Sequence, residues 1–150
     1  MDLRFEDYLD INLPGPADVS KAEQTLGLKF PESYKEILLV GAGKRPVNLQ
    51  PVSPKGTKLG FRCFYHVAFD HDDDTFLANV DEMEAWGYGD KLLTFSDNGG
   101  GVRYCLDYRE KVEAPPVVIV LLDSERGVES AVRKIAENFD EFLEKYTVPM

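Results

Sequence analysis

The sequence predicts an α+β domain in which one twisted, mostly antiparallel sheet is covered by helices on one face. Two observations give this prediction. Apolar residues recur at helical spacing near both ends of the chain, whereas they alternate with polar residues in its middle. Helices and strands that are grouped along a chain, rather than alternating, are typical of α+β proteins. The 150 residues suit a single domain over residues 1–150, with a sizeable core and no dividing linker.

Three helices are expected before residue 44. Residues 3–9 have the spacing of a short amphipathic helix. Asp18 suits the N-cap of a second helix, and Gly27 is placed where a glycine commonly ends one. Pro31 suits the first turn of a third helix, because the amide hydrogen that proline lacks is not used there.

The middle of the chain predicts strands. Residues 44–60 are rich in proline and are interpreted as an edge strand or loop. Residues 61–69 alternate between apolar and polar positions, which indicates a strand, and residues 75–86 suit a short helix. Residues 92–107 predict a β-hairpin whose turn contains Gly99, Gly100 and Gly101. A phosphate cradle is disfavoured, because a strand rather than a helix follows these glycines.

The end of the chain predicts a strand and then a long C-terminal helix. Pro115 and Pro116 introduce an apolar run over residues 117–122 that is typical of a buried strand. The helix is predicted from apolar residues at three- and four-residue spacing, which are Val128, Ala131, Val132, Ile135, Phe139, Phe142, Leu143 and Tyr146.

The composition restricts the partners of the protein. A net charge of −10 disfavours binding to nucleic acid and favours a basic protein partner. No apolar run approaches the ~20 residues of a membrane span, and the first residues lack the features of a signal peptide. We therefore expect a cytoplasmic protein without membrane contact, in which Cys63 and Cys105 are reduced thiols on strands.

The segment over residues 70–90 contains acidic residues and neither lysine nor arginine. Such a segment is either a solvated loop or the surface that meets a basic partner. Trp86 is either an exposed anchor for that partner or a largely buried side chain. The candidate partner-binding residues are Asp70, Asp72, Asp73, Asp74, Asp81, Glu82, Glu84, Trp86 and Tyr88.

No catalytic, metal or cofactor site is predicted. Asp70, Asp72 and Asp74 have the spacing of the first ligands of a calcium loop, but Thr75 stands where the loop needs glycine. Cys63 and His66 are three residues apart and would face opposite sides of a strand, which disfavours a dyad between them. The nucleophile motif G-x-S-x-G is absent, and we expect a protein that is not an enzyme.

Three groups of residues, in order over residues 18–146, resemble the SUKH superfamily of Smi/Knr-type cell-wall regulators and bacterial immunity proteins. The first is an acidic residue, Leu-Gly and a hydrophobic-Pro-x-x-Tyr pattern, formed by Glu23, Leu26, Gly27, Phe30, Pro31 and Tyr34. The second runs over residues 95–101 and continues in Tyr104, Cys105, Leu106 and Asp107. The third begins at Pro115 and Pro116 and ends in Ala136, Phe139, Phe142 and Leu143.

This resemblance implies an α+β binding module that acts without chemistry. Its bacterial members are similar to immunity proteins that neutralise toxins, often nucleases, and these are basic because they bind nucleic acid. The alternative that the resemblance implies is a regulatory scaffold that binds a housekeeping partner. The sequence departs from the family pattern at Val102 and Arg103, where an asparagine often follows the glycines. The predicted structural motif comprises Pro31, Tyr34, Gly99, Gly100, Gly101, Asp107, Pro115 and Pro116.

Overall fold

The computed structural model describes residues 3–67, 75–122 and 131–149, with the backbone alone for residues 76–78. The helices in this part of the chain are α1 (Pro16–Leu26), α2 (Glu32–Gly41), α3 (Phe76–Ala85) and α4 (Phe139–Tyr146). The strands are β1 (Phe5–Glu6), β2 (Arg45–Pro46), β3 (Leu92–Asp97), β4 (Val102–Asp107), β5 (Val117–Leu121) and β6 (Val132–Ala136). This architecture confirms the predicted α+β class.

The larger sheet is antiparallel throughout and has the strand order β3-β4-β5-β6. The predicted hairpin of β3 and β4 forms one side of this sheet and pairs Leu93 with Leu106 and Asp97 with Arg103. A second, two-stranded sheet pairs β1 with β2. The prediction of one sheet was therefore incomplete.

Helices cover both faces of the larger sheet, whereas the sequence predicted helices on one face. The main core lies on one face, where an aromatic cluster includes Tyr34, Phe95 and Phe139. A smaller apolar cluster lies on the other face, where Met83 of α3 packs with Leu92 and further outward-facing strand residues. All six residues of β3 are buried, because both faces of that strand are covered.

The prediction of a long C-terminal helix is wrong. Residues 132–136 form β6, which pairs with β5, and α4 begins only at Phe139. Asn138 separates the two elements, because its side chain accepts a hydrogen bond from the Glu141 amide (2.9 Å) as the N-cap of α4. Val128, the first residue of the predicted stripe, lies outside the described residues.

Two predictions near the N-terminus are also wrong. Residues 3–9 contain strand β1 rather than a helix, because Phe5 pairs across to Pro46 and its ring packs 6.1 Å from that of Phe64. Gly15, not Asp18, is the N-cap of α1. The Asp18 carboxylate instead accepts a hydrogen bond from the Gly15 amide (2.8 Å), which is the reciprocal half of a capping box. Gly27 ends α1 in the left-handed conformation, as predicted.

Residues 61–67 lie along β3 without forming a regular strand. They make isolated bridges at Phe64 and His66. The amides of Arg62 and Tyr65 nevertheless donate to carbonyl oxygens of β3, at 2.9 Å each. Within residues 61–67 the strand predicted over residues 61–69 is therefore wrong, although these residues cover the edge of the sheet. The last two residues of that prediction, 68–69, lie outside the described residues. Helix α3 confirms the helix predicted over residues 75–86.

Candidate protein-binding surface

The predicted partner-binding residues lie on α3, directly after it, or outside the described residues. Four of them lie outside the described residues, namely Asp70, Asp72, Asp73 and Asp74. Asp81, Glu82 and Glu84 lie on α3, and Trp86 and Tyr88 follow its last residue. The structure therefore brings the describable candidates together on one helix and the turn that ends it.

Helix α3 exposes acidic charge to solvent and buries apolar side chains against the sheet. Val80 and Met83 are buried, whereas Asp81 and Glu84 are exposed. The two acidic residues are three positions apart and thus share one side of the helix. The helix contains no lysine or arginine, and Asp90 beyond it is exposed as well. We call Asp81 and Glu84 the acidic face.

Glu82 does not belong to this face, because it turns towards the sheet. The Arg103 guanidinium on β4 donates from Nε to Glu82 Oε1 at 3.0 Å. The same guanidinium donates from Nη1 to the carbonyl oxygen of Gly100 in the hairpin loop at 3.2 Å. Arg103 therefore joins α3 to the loop between β3 and β4.

Trp86 and Tyr88 are less exposed than an aromatic anchor for a partner would be. Trp86 is half-buried against the smaller apolar cluster, and Tyr88 is 9% exposed within it. The cluster also contains Cys105 and two valines of β5. Both rings thus help to hold α3 on the sheet, and a partner can reach part of the Trp86 ring.

A buried ion pair fixes the base of the hairpin loop. The Arg62 guanidinium donates two hydrogen bonds to the Asp97 carboxylate, from Nε at 2.9 Å and from Nη2 at 2.8 Å. The same carboxylate accepts from the Tyr65 hydroxyl at 2.5 Å and from the Gly99 amide at 2.7 Å. Burial alone would raise the pKa of Asp97, but the hydrogen bonds from Arg62, Tyr65 and Gly99 lower it to about 2.

The glycines of the loop act as turn residues. Gly99 has a φ of 80° and so occupies the left-handed region, whereas Gly100 does not. The Asn98 side chain accepts from the amides of Gly100 (2.9 Å) and Val102 (3.1 Å). These contacts occupy the amides that a phosphate would need, which agrees with the predicted turn.

The remaining residues of the predicted structural motif lie at ends of elements or in the core. Pro31 is the N-cap of α2, and the Tyr34 ring is fully buried, 5.3 Å from that of Phe139. Asp107 ends β4, and the Arg109 guanidinium donates to both of its carboxylate oxygens at 3.0 Å. Pro115 and Pro116 directly precede β5. Gly101 lies in the hairpin loop, where its carbonyl oxygen accepts from the Leu122 amide.

The described thiols are unsuited to nucleophilic chemistry. Cys63 and Cys105 are both fully buried. Burial raises the pKa of the Cys105 thiol to about 12, so this side chain is uncharged near neutral pH. Across residues 3–67, 75–122 and 131–149, no three side chains that commonly ligate metals are grouped as a metal site would require. No helix within those ranges has the length and apolarity to cross a membrane.

Sequence reasoning did not predict Arg103 or Arg62 as parts of this surface. Their acidic partners are 21 and 35 residues away along the chain, so no local pattern joins them. The alternation of β4 does indicate that Arg103 and Cys105 share a face of the sheet, and this was the local signal for the side on which Arg103 lies.

The profile of the SMI1/KNR4 family, also described as SUKH-1, matches residues 5–145. A comparison with curated proteins gives no match. The matched range contains the elements from β1 to α4 and ends one residue before the end of α4. The chain therefore belongs to the SMI1/KNR4 family (SUKH-1).

Proposed function

We propose that the protein is a non-enzymatic binding module that acts as an immunity protein, neutralising a basic toxin domain through the acidic face. One observation carries this proposal: α3 is anchored by its apolar side and presents carboxylates without a compensating lysine or arginine of its own. Opposite potentials accelerate the association of two proteins. A toxin that acts on nucleic acid needs a basic surface, which such a face would attract.

Membership of the family supports a binding role, since immunity proteins and regulators are the activities that the resemblance implies. The chemistry of the described residues agrees with it. The Cys105 thiol is protonated near neutral pH, and the Asp97 carboxylate already accepts from three other residues. These groups stabilise the protein and are not available to a substrate.

The first experiment captures the partner with a tagged protein from its native cell and identifies it by mass spectrometry. The comparison variant carries Asp81→Asn and Glu84→Gln, which remove two negative charges from the acidic face. The matched control carries Glu36→Gln and Glu144→Gln, because these residues are exposed on α2 and α4 and give the same change of charge. We expect the first variant to lose the captured protein and the control to retain it.

The second experiment decides whether the partner is a toxin. The captured protein is expressed alone and then with the wild-type chain, and cell growth is measured. Growth arrest that is relieved by co-expression would support the immunity role. A harmless partner would favour the alternative, a regulatory scaffold of the Smi/Knr type. Equal capture by both charge variants would show that the acidic face is not the interface.

A further inference from the structure

We propose that Arg103 is a positioning residue that fixes the orientation of α3, and hence of the acidic face. The functional importance of this orientation rests on the proposed function, since α3 is the helix that would meet the partner. It reassigns Glu82 from a partner-binding residue to the internal acceptor of the Arg103 guanidinium. The geometry behind it is independent of any partner.

Apolar contacts alone do not fix the rotation of α3 about its own axis. Val80 packs into the main core, and Met83 and Trp86 hold the helix against the smaller cluster. Hydrophobic contacts are non-directional, so they fix the distance of a helix from a sheet better than its rotation. Because successive helical residues are about 100° apart, a modest rotation would carry Asp81 and Glu84 away from their exposed side.

The backbone bonds at the end of α3 do not join the helix to the sheet. Gly87 and Gly89 have φ values of 91° and 77°, in the region that favours glycine. The amides of Gly87 and Tyr88 donate to the carbonyl oxygens of Glu84 and Met83, at 3.0 Å each. These bonds close the end of the helix but run along it, so they do not fix its rotation against the sheet.

Arg103 supplies a directional contact between α3 and the sheet. Its guanidinium donates to Glu82 on α3 and to the Gly100 carbonyl oxygen in the hairpin loop. Hydrogen bonds to the side chains of Asp97 and Asn98 hold that loop at the end of the sheet, so the guanidinium connects the helix to the β3–β4 hairpin. The pair is sheltered, since the side chains of Arg103 and Glu82 are 19% and 32% exposed. Planar, charge-assisted hydrogen bonds are strongly directional.

The test is hydrogen-exchange mass spectrometry of the full chain, which measures local opening of α3 without any partner. We expect Arg103→Gln to accelerate exchange of the α3 amides about tenfold, as loss of a sheltered charge-assisted hydrogen bond would. Glu82→Gln should give a similar acceleration. The double variant should exceed neither single variant by more than about twofold, because all three remove the same contact.

Two comparisons separate positioning from a general structural role. Amides of β4 and β5 should exchange at the wild-type rate in every variant, because the effect is local. Arg109→Gln is the matched control, since it removes the same charge and breaks a similar pair with Asp107 (3.0 Å) at the other end of β4. It should leave α3 unchanged. Arg103→Lys should restore part of the protection, because lysine keeps the charge without the planar fork.

Unchanged α3 exchange in Arg103→Gln would overturn the proposal, as would equal acceleration across β4 and β5. An acceleration of α3 exchange in the double variant that equals the product of the two single accelerations would also contradict the proposal, because Glu82 and Arg103 would then act separately. These outcomes do not depend on the proposed function, which fails instead if neutralising the acidic face leaves partner capture unchanged.

Discussion

Replacing Asp97 by asparagine tests whether the buried ion pair stabilises the protein as its geometry indicates. The Asp97 side chain is 7% exposed and the Arg62 side chain is 24% exposed. A fall of the Asp97 pKa from 3.8 to about 2 corresponds to roughly 2.5 kcal/mol of stability. The variant also removes the negative charge opposite the Arg62 guanidinium. Because the Arg62 guanidinium is partly solvated, we expect a total loss of about 3 kcal/mol near neutral pH, at the low end for a broken buried pair.

The pH dependence gives the sharper form of this prediction. Folding lowers the pKa of Asp97, so the ionised carboxylate stabilises the native state above pH 3.8, its ordinary value. This contribution is lost as the pH falls towards 2, where the folded protein also takes up the proton. The difference in stability between wild type and Asp97→Asn should therefore shrink by roughly 2 kcal/mol between about pH 5 and pH 2.

Urea denaturation followed by fluorescence of Trp86, the only tryptophan, measures the free energy of unfolding at each pH. Asp10→Asn is the control, because Asp10 is exposed and undergoes the same chemical change. It should differ from wild type by less than about 0.5 kcal/mol. A variant at Asp97 with the wild-type midpoint, or a difference that persists undiminished to pH 2, would refute the reasoning.

Three further predictions concern the core and the turn. Tyr34→Phe should raise stability by about 1 kcal/mol in a thermal melt, because the buried Tyr34 hydroxyl has no hydrogen-bond partner among the described residues; a lower midpoint would show that this hydroxyl has one. Gly99→Ala should lower the free energy of unfolding by about 1–2 kcal/mol, because Gly99 has a positive φ that alanine tolerates poorly. Gly100→Ala should be nearly neutral. Equal effects of the two substitutions would contradict the assignment of the positive φ to Gly99. Phe139→Ala should cost about 3–5 kcal/mol in urea, since its fully buried ring lies 5.5 Å from that of Phe95, and near-wild-type stability would exclude this packing.

Elements whose signals are local were predicted well. The hairpin follows from alternation on both sides of a glycine-rich turn, and the end of α1 follows from Gly27. Of the three glycines predicted in the turn, Gly99 alone has a positive φ. Within such a turn, composition identifies the need for glycine but not the residue that meets it.

The strand β6 was missed because two patterns overlap there. Val132, Ile135 and Phe139 are three and four residues apart, which is the spacing of a helix. A register shift between Val117 and Val118 of β5 breaks the alternation that β6 would otherwise show. One local signal contradicted a continuous helix: Asn138 and Glu141 have the spacing of a capping box, and the Asn138 side chain accepts from the Glu141 amide, whereas the Glu141 carboxylate accepts from the amide of Glu137, one residue before the N-cap.

The candidate surface was predicted only as a stretch of charge. Residue type and spacing place Asp81 and Glu84 on one side of a helix, but they cannot show that Glu82 turns inward. That distinction depends on Arg103, which reaches α3 only after the sheet has formed. Contacts between residues far apart in the chain decide which members of an acidic segment meet solvent.

The role of Arg103 leads to a prediction in which charge and geometry have opposite signs. Arg103→Gln makes the net charge −11 instead of −10, since one of the arginines is removed. If the residue contributed only charge, association with a basic partner would become faster at low salt. If it positions α3, the acidic face is presented in several orientations, and the affinity should fall about fivefold to tenfold despite the added attraction. Stopped-flow binding to the captured and purified partner, with Arg109→Gln as the equally charged control, distinguishes the two. Faster and tighter binding by both variants would show that Arg103 acts through its charge alone.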